Sequence, residues 1–404
     1  MNGSVVAPIT WQEVEPPSGS GVPALVSPAA RIGQAARTLD FALGRRSGGE
    51  QRMSPSAGAC YPYELFIWPA GETSLGMVDL VRRRIVSSDP QHGWRDSQTE
   101  FALVGRPWLS VRKYGRRGYL YHLLDSGHAL VNLGLVAEPL SAEPEYVPAL
   151  ARSGRLLRHV DDFGGAVLGT GRLSDAIRGS GQERTGWTVQ VSDAASQPRP
   201  SDLERLTRGI FPPAMEPVQA SVDANPEELA VLRGAIARRR SATTLGPEVD
   251  SSTVRLLVER ASRLWGKTLA RMNLPEPEVT ILSRDPSVGG ELPRRDRLEA
   301  ALLAQAHVAD AHSFLVVRAE IPDKGSVVTP RAQRWLVASG AIGELLYLTA
   351  ADLGLGITGL GGFDAAIWNE LCGTTDDVLY LLAVGREDAG EKFDRMSSGG
   401  AHDQ

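Results

Sequence analysis

The sequence predicts an α+β protein made of two similar halves in one chain. Three observations carry this. The 404 residues exceed one ordinary compact domain, which runs to roughly 150–200 residues. Both halves mix amphipathic helices with short apolar strands. And each half places a long apolar helix after one strand and ahead of a final strand, near a glycine that can stop it.

The elements read in order as follows. Residues 1–25 are rich in Pro, Gly and Ser without periodicity and read as a mobile tail. The first half, 26–193, carries strands at 63–69, 83–88, 103–111 and 187–192, each bounded by Gly, Pro or polar clusters. Apolar residues at helical spacing make 119–136 a long core helix. Residues 194–225 hold two Pro clusters, which no single regular element tolerates, so this stretch reads as the linker. The second half, 226–388, opens with amphipathic helices at 227–240 and 251–265, the latter capped by serine. Buried strands follow at 278–283, 313–319 and 378–385. A long apolar helix at 335–353 ends at Gly354 and Gly356. The last residues, 389–404, are polar and read as frayed.

Composition removes several classes of function. There is no apolar run near the ~18 residues of a membrane span and no basic-then-apolar leader. Cys60 and Cys372 alone make neither a disulfide framework nor a zinc cage, which points to a reducing, cytoplasmic setting. A net charge of −5 argues against nucleic-acid binding. His122 and His128 lie six apart on a helix and share no face, so no metal is expected from them, nor from His307 and His312. P-loop, HExxH, GxSxG and CxxC motifs are lacking.

Four motifs carry chemistry. Ser54-Pro55-Ser56-Ala57-Gly58-Ala59 runs into a strand; its free N–H groups and hydroxyls suit close approach to a flat polar ring, or simply a tight turn. Arg238-Arg239-Arg240-Ser241 ends an amphipathic helix. It can neutralise the negative helix terminus or offer forked donors and a hydroxyl to a phosphate monoester. The glycines from Gly354 to Gly362 follow a helix rather than open one, so they are no dinucleotide fingerprint; they stop the helix and present bare backbone. Lys113-Tyr114-Gly115 follows a strand in this reading. A neighbouring cation favours tyrosinate and partial burial disfavours lysinium, so the two could tune each other if Gly115 lets the chain turn; the alternative is a basic surface loop.

Together these pieces resemble the nitroreductase-like flavoproteins, and among them the SagB-type azoline dehydrogenases. SPSAGACYPYELFIW (54–68) and KYGRRGYLYHLLDSGHALVNLGL (113–135) carry the subgroup's likeness. AIARRRSATTLGPEVDSSTVRLLVERA (235–261) and SGAIGELLYLTAADLGLGITGLGGFDAAIWNELCG (339–373) look like the general family. The resemblance implies a tandem nitroreductase-like fold forming an intrachain pseudo-dimer, with FMN between the halves. Arg239, Arg240, Ser241 and Thr243 would hold its phosphate and ribityl chain, with Arg386, Lys392 or Arg395 as additional donors. Pro55, Ser56, Ala57 and Gly58 would face the ring, backed by Gly359, Gly361 and Gly362. Lys113 and Tyr114 match the catalytic positions, Tyr114 as base and Lys113 as its tuner.

The two halves depart from the pattern in complementary ways. In the first, Arg45-Arg46-Ser47 lies too near the Ser54 turn to be the family's RRSxR helix end, and Phe163-Gly164-Gly165 is a poor remnant of GxGGF. The second keeps RRRS and GLGGF but lacks the PSxG turn and the Lys-Tyr pair. One complete flavin site and one dead one are the expectation. The implied activity is oxidation of thiazoline or oxazoline to thiazole or oxazole in a ribosomally made precursor peptide, with cyclodehydratase components as further partners and O2 as final acceptor. The alternatives are an NAD(P)H-dependent nitro- or quinone reductase, or a non-catalytic peptide-binding subunit.

Overall fold

The computed structural model describes residues 34–46, 49, 51–69, 76–87, 99–138, 166–173, 188–191, 215–303, 305–321 and 328–387. The N-terminal 1–25 and C-terminal 389–404 stretches, Lys392, Arg395 and Phe163-Gly164-Gly165 lie outside these.

The first half opens with α1 (Gln34–Leu43). Its sheet comprises β1 (Tyr63–Pro69), β2 (Gly76–Asp79), β3 (Arg84–Ser87), β4 (Thr99–Gly105), β5 (Ala166–Arg172), β6 (Thr188–Val191) and β7 (Val218–Gln219), in the order β6-β3-β2-β1-β4-β5-β7. Helices α2 (Trp108–Tyr114) and α3 (Arg116–Val136) follow β4. Within the span read as linker, β7 lies parallel to β5 at the edge of this sheet.

The second half runs α4 (Pro226–Arg238), β8 (Leu245–Gly246), α5 (Ser251–Arg271), β9 (Glu278–Ser283), β10 (Gly290–Glu291), α6 (Arg295–Ala301) and β11 (Ser313–Ala319). Then come α7 (Pro330–Leu353), β12 (Gly356–Leu360), α8 (Ala365–Cys372) and β13 (Asp377–Glu387). Its sheet order is β10-β9-β11-β13-β12, with β8 against β13. The halves share a plan: α3 separates antiparallel β4 and β5 in sequence, as α7 separates antiparallel β11 and β13.

Strand alternation builds three layers. Leu65, Ile67, Phe101 and Leu103 of one sheet, and Leu315, Val317, Leu382 and Val384 of the other, point into one core shared with the helices between them. The opposite faces form two smaller clusters, Phe66, Trp68, Ala102 and Val104 in the first half and Phe314, Val316, Leu381 and Ala383 in the second. At the centre α3 and α7 touch backbone to backbone. A Cβ on Gly127 would stand 2.2 Å from the Val337 carbonyl, and one on Gly340 would stand 2.0 Å from that of Leu124. Both contact points carry the dipeptide Ser-Gly, and both serines, Ser126 and Ser339, bond the carbonyl four residues back. Among the described residues α7 is long and apolar enough to cross a membrane, contrary to the sequence reading. Yet 83% of that stretch is buried in the fold, as a core helix must be.

The largest departure from the sequence reading concerns 103–111. The strand stops at Gly105, and α2 begins after Pro107, whose fixed φ and missing N–H suit a helix start and cannot continue a ladder. Lys113 and Tyr114 therefore occupy the last turn of a helix, which Gly115 ends at φ 57°. Other shifts are smaller. Thr329 caps α7 ahead of Pro330, five residues before the expected start. The capping box of Asn225 and Glu228 opens α4, which ends at Arg238, leaving Arg239 and Arg240 outside it. The serine-led helix runs on to Arg271 and takes its cap from Asp250. Gly356 and Gly359 fall within β12, a strand that lacks alternating side chains to announce it, and Gly361 and Gly362 follow it.

Candidate active site

The turn at 56–59 is built by a buried carboxylate. Asp125 of α3 accepts the Ser56 hydroxyl at 2.6 Å and the Ala57 N–H at 3.1 Å, while Ser56 Oγ accepts the Tyr61 N–H at 2.8 Å. Pro55 is buried; Gly58 and Ala59 are exposed and left-handed, with φ of 57° and 55°. A non-glycine residue at that φ costs about 1–2 kcal/mol, which the bonds to Asp125 offset. Burial pushes the Asp125 carboxyl up to about 7, while its bonds from Ser56 and Ala57 pull the other way.

Lys113 and Tyr114 converge on this turn. Lys113 Nζ donates to the Gly58 carbonyl at 3.0 Å and stands 5.4 Å from the Tyr114 ring centroid. A Cβ on Gly58 would lie 2.0 Å from Tyr114 Oη and 2.3 Å from Lys113 Nζ, so only glycine lets both reach in. The Tyr114 ring meets Tyr121 edge-on at 5.1 Å, and the Tyr121 hydroxyl donates to the Gly361 carbonyl of the second half. The first-half turn, the Lys-Tyr pair and the second-half glycines thus form one continuous surface.

Behind those glycines the support is buried. The Gly359 N–H donates to Tyr347 Oη at 2.6 Å, and that hydroxyl shares a hydrogen bond with Ser241 at 3.1 Å. The Gly362 carbonyl accepts from Gln305. Arg239, 2% exposed, donates to the Met53 carbonyl at 2.9 Å and stacks over the Tyr347 ring at 5.2 Å. Its Nη1 is buried without a hydrogen-bond partner.

Tyr347 and Met53 also line an open cleft of about 550 Å³, together with Arg46, Arg240, Gly356 and Glu387. Arg240 is exposed and bonded to Glu387 at 2.8 Å. Arg46, whose run the sequence reading set aside as too near the turn to be the family's RRSxR helix end, follows α1 and lies near Arg239 and Arg240 of the second half. Burial, and next the charge of Arg239, lower its guanidinium to about 10. Its Nη2 is likewise buried and unpartnered. Two crowded guanidinium groups with unused donors make a site for an anion.

Not every expected residue joins. Thr243 is exposed and does not line the cleft; Arg239 and Ser241 do not line it either, and reach its wall through Tyr347. Arg386 is exposed on β13, opposite Gly246. Sequence reasoning missed Asp125, Tyr121 and Tyr347, and discounted Arg46. Asp125 and His128 both lay in the motif 113–135, and their three-residue spacing was the signal that could have found them.

Residues 253–386 match the nitroreductase family. Curated proteins give no match. Among solved structures, one from Anabaena variabilis named as a nitroreductase is 17% identical and covers 88% of this chain and 88% of its own, with a TM-score of 0.56. A nitroreductase family protein from Clostridium novyi NT is 15% identical over 39% of this chain and 86% of its own, at a TM-score of 0.29. A protein from Staphylococcus epidermidis named as an NAD(P)H:FMN oxidoreductase is 11% identical over 43% of this chain and 90% of its own, at 0.29. Residues 253–386 are thus similar to the nitroreductase family, and the chain as a whole has the nitroreductase-like fold.

Proposed function

We propose that the protein is an FMN-dependent dehydrogenase of the nitroreductase family that oxidises thiazoline or oxazoline rings in a ribosomally made peptide to thiazole or oxazole. The supporting observation is the convergence of Lys113 and Tyr114 over Gly58, on a surface that continues through Tyr121 to Gly361. An ordinary nitro- or quinone reductase needs a flavin site but no such pair.

The residues present fit FMN. The unpartnered Nη atoms of Arg46 and Arg239, with Arg240 and Ser241, would hold the phosphate. The bare backbone at 55–58 and at 359–362 would flank the ring from the two halves. When bound, FMN would supply the two-electron acceptor that takes the hydride from the azoline ring. Tyr114, acting through its phenolate oxygen, takes up the ring's acidic Cα proton and becomes the neutral phenol. Lys113, anchored on the Gly58 carbonyl, holds a positive charge beside the Tyr114 ring, which favours the oxygen in its accepting state. Pro55 and the Asp125-held turn keep the first wall fixed while substrate binds. The arrangement of the halves supports an intrachain pseudo-dimer with a single working site. Partners on this reading are an azoline-bearing precursor peptide and the cyclodehydratase that makes its rings.

The test is the full chain loaded with FMN, given an azoline-containing peptide and O2, and followed by mass spectrometry for loss of two hydrogens per ring. Lys113→Ala and Tyr114→Phe are expected to keep bound flavin and lose azole formation by about 10²–10⁴-fold. Loss of flavin on Tyr114→Phe contradicts the assignment. Rapid NADPH oxidation with a nitroaromatic and no azole product replaces it with the reductase reading; a colourless protein even after FMN addition leaves only a peptide-binding role.

A further inference from the structure

We infer that Asp125 and His128, one turn apart on α3, are positioning residues that set the spacing between the two walls of the site. The inference rests on the flavin reading above.

Asp125 grips the first wall through Ser56 and Ala57. His128 reaches the second. Its Nδ1 lies 2.9 Å from Glu344 Oε2 and its Nε2 lies 3.1 Å from Tyr380 Oη. Burial holds the imidazole below its ordinary range and holds the Tyr380 phenol well above its own. The ring is therefore neutral: Nδ1–H donates to Glu344 and Nε2 accepts the Tyr380 hydroxyl. That hydroxyl in turn sits directly against the second wall, since a Cβ on Gly359 would stand 2.1 Å from it. On its other side the Tyr380 ring abuts Gly343 of α7, where a Cβ would stand 2.6 Å away. Side chains at i and i+3 share a helix face, so one rigid turn of α3 carries both grips.

A purely structural need does not explain this pair. Aligning the two Ser-Gly crossings of α3 and α7 places Ala338 opposite Asp125 and Ala341 opposite His128, both fully buried. The same seam is thus filled by methyl groups where no complete site stands. Burying a carboxyl and an imidazole costs free energy that alanine avoids, and these two are kept on the helix that faces both walls.

The experiment uses the full chain in six forms: wild type, Asp125→Ala, Asp125→Asn, His128→Ala, Tyr380→Phe and the Asp125→Ala/Tyr380→Phe double variant. Amide hydrogen exchange is read over 54–62 and 356–362 without flavin, and FMN affinity is read by fluorescence. Asp125→Ala is expected to speed exchange over 54–62 alone. His128→Ala and Tyr380→Phe should speed it over 356–362 alone, Tyr380→Phe doing so with the His128–Glu344 bond intact should the former fail to fold. Asparagine can still accept from Ala57 and donate to Ser56, so Asp125→Asn restores the first wall. Each loosened variant weakens FMN about tenfold, and the Asp125→Ala/Tyr380→Phe double variant costs little more than one alone, because either loss opens the clamp. Faster exchange spread over both segments, or local loosening with unchanged FMN affinity, overturns the inference. A wild type that binds no FMN sinks the flavin reading instead, while the exchange pattern still decides whether each residue holds its own wall.

Discussion

The two walls of the site are built on opposite terms. The first ends in exposed groups: Gly58, Ala59 and Lys113 face solvent, and its chemistry-bearing side chains stand on the last turn of a short helix. The second is backed by the core. Gly359 rests on Tyr347 and Tyr380, and Arg239 is almost wholly enclosed. On the function proposed here, a wall that holds an anion and a flat ring gains from desolvated, pre-set donors, whereas a wall that trades protons with a substrate gains from access. Disturbing the second should therefore cost binding and stability together; disturbing the first should cost chemistry.

The sharpest break comes from the arginines. Arg239→Ala deletes a buried guanidinium, leaves the Met53 carbonyl without its donor and uncovers the Tyr347 ring. It is expected to cost about 2–4 kcal/mol of stability and to abolish FMN retention, measured by denaturant unfolding and by flavin per chain. Arg240→Ala is the control within the same motif. Its exposed pair with Glu387 is worth about 0–1 kcal/mol, so unfolding should scarcely move.

Two glycine substitutions compare the walls directly. Gly359→Ala forces a methyl into the buried Tyr380 hydroxyl and should destabilise by about 1–3 kcal/mol. Gly58→Ala meets the free ends of Lys113 and Tyr114, which can swing into solvent, so its stability cost is the roughly 1–2 kcal/mol of a left-handed backbone. Because it displaces both side chains of the proposed Lys-Tyr pair, Gly58→Ala should nonetheless lose more turnover than stability. Equal losses of both in the two variants would erase the distinction.

A further expected effect is one of pH. Asp125 is raised from its ordinary 3.8 to about 7 in the folded chain, so the native state binds its proton more tightly than the unfolded one. Its contribution is present in full below about pH 4 and is lost as pH rises through 7, at no more than about 1.4 kcal/mol per pH unit. Tyr63 and Tyr380, the phenols beside it, titrate far above this window. Unfolding curves between pH 4 and 8 should show this slope in the wild type and not in Asp125→Asn.

The site's local motifs were legible in the sequence because each is a run of adjacent residues whose types state their chemistry. Its supports were not. Ser56 and Asp125 are 69 residues apart, and His128 is 216 from Glu344 and 252 from Tyr380. Tertiary packing brings them together: the turn at 56–59 folds onto α3 for the first pair, and α3 packs on α7 and beside β13 for the others. Pro107 misled for a different reason: the apolar residues either side of it fit a strand, and only the geometry of proline shows where the ladder stops and the helix begins. Arg46 was discounted on spacing along the chain, yet α1 delivers it to the cleft from the other half.

The crossing of α3 and α7 is reciprocal: Gly127 meets the backbone around Val337, and Gly340 meets that at Leu124. That mutual pattern is how two copies of one surface join about a two-fold axis. In a true homodimer every substitution is made twice, so a change that sharpens one active site is imposed on its twin. On the pseudo-dimer reading proposed above, joining the two halves in one chain removes that constraint. One helix of the pair could acquire Asp125 and His128 while its counterpart stayed alanine, and the stoichiometry of the two remains one to one at any concentration.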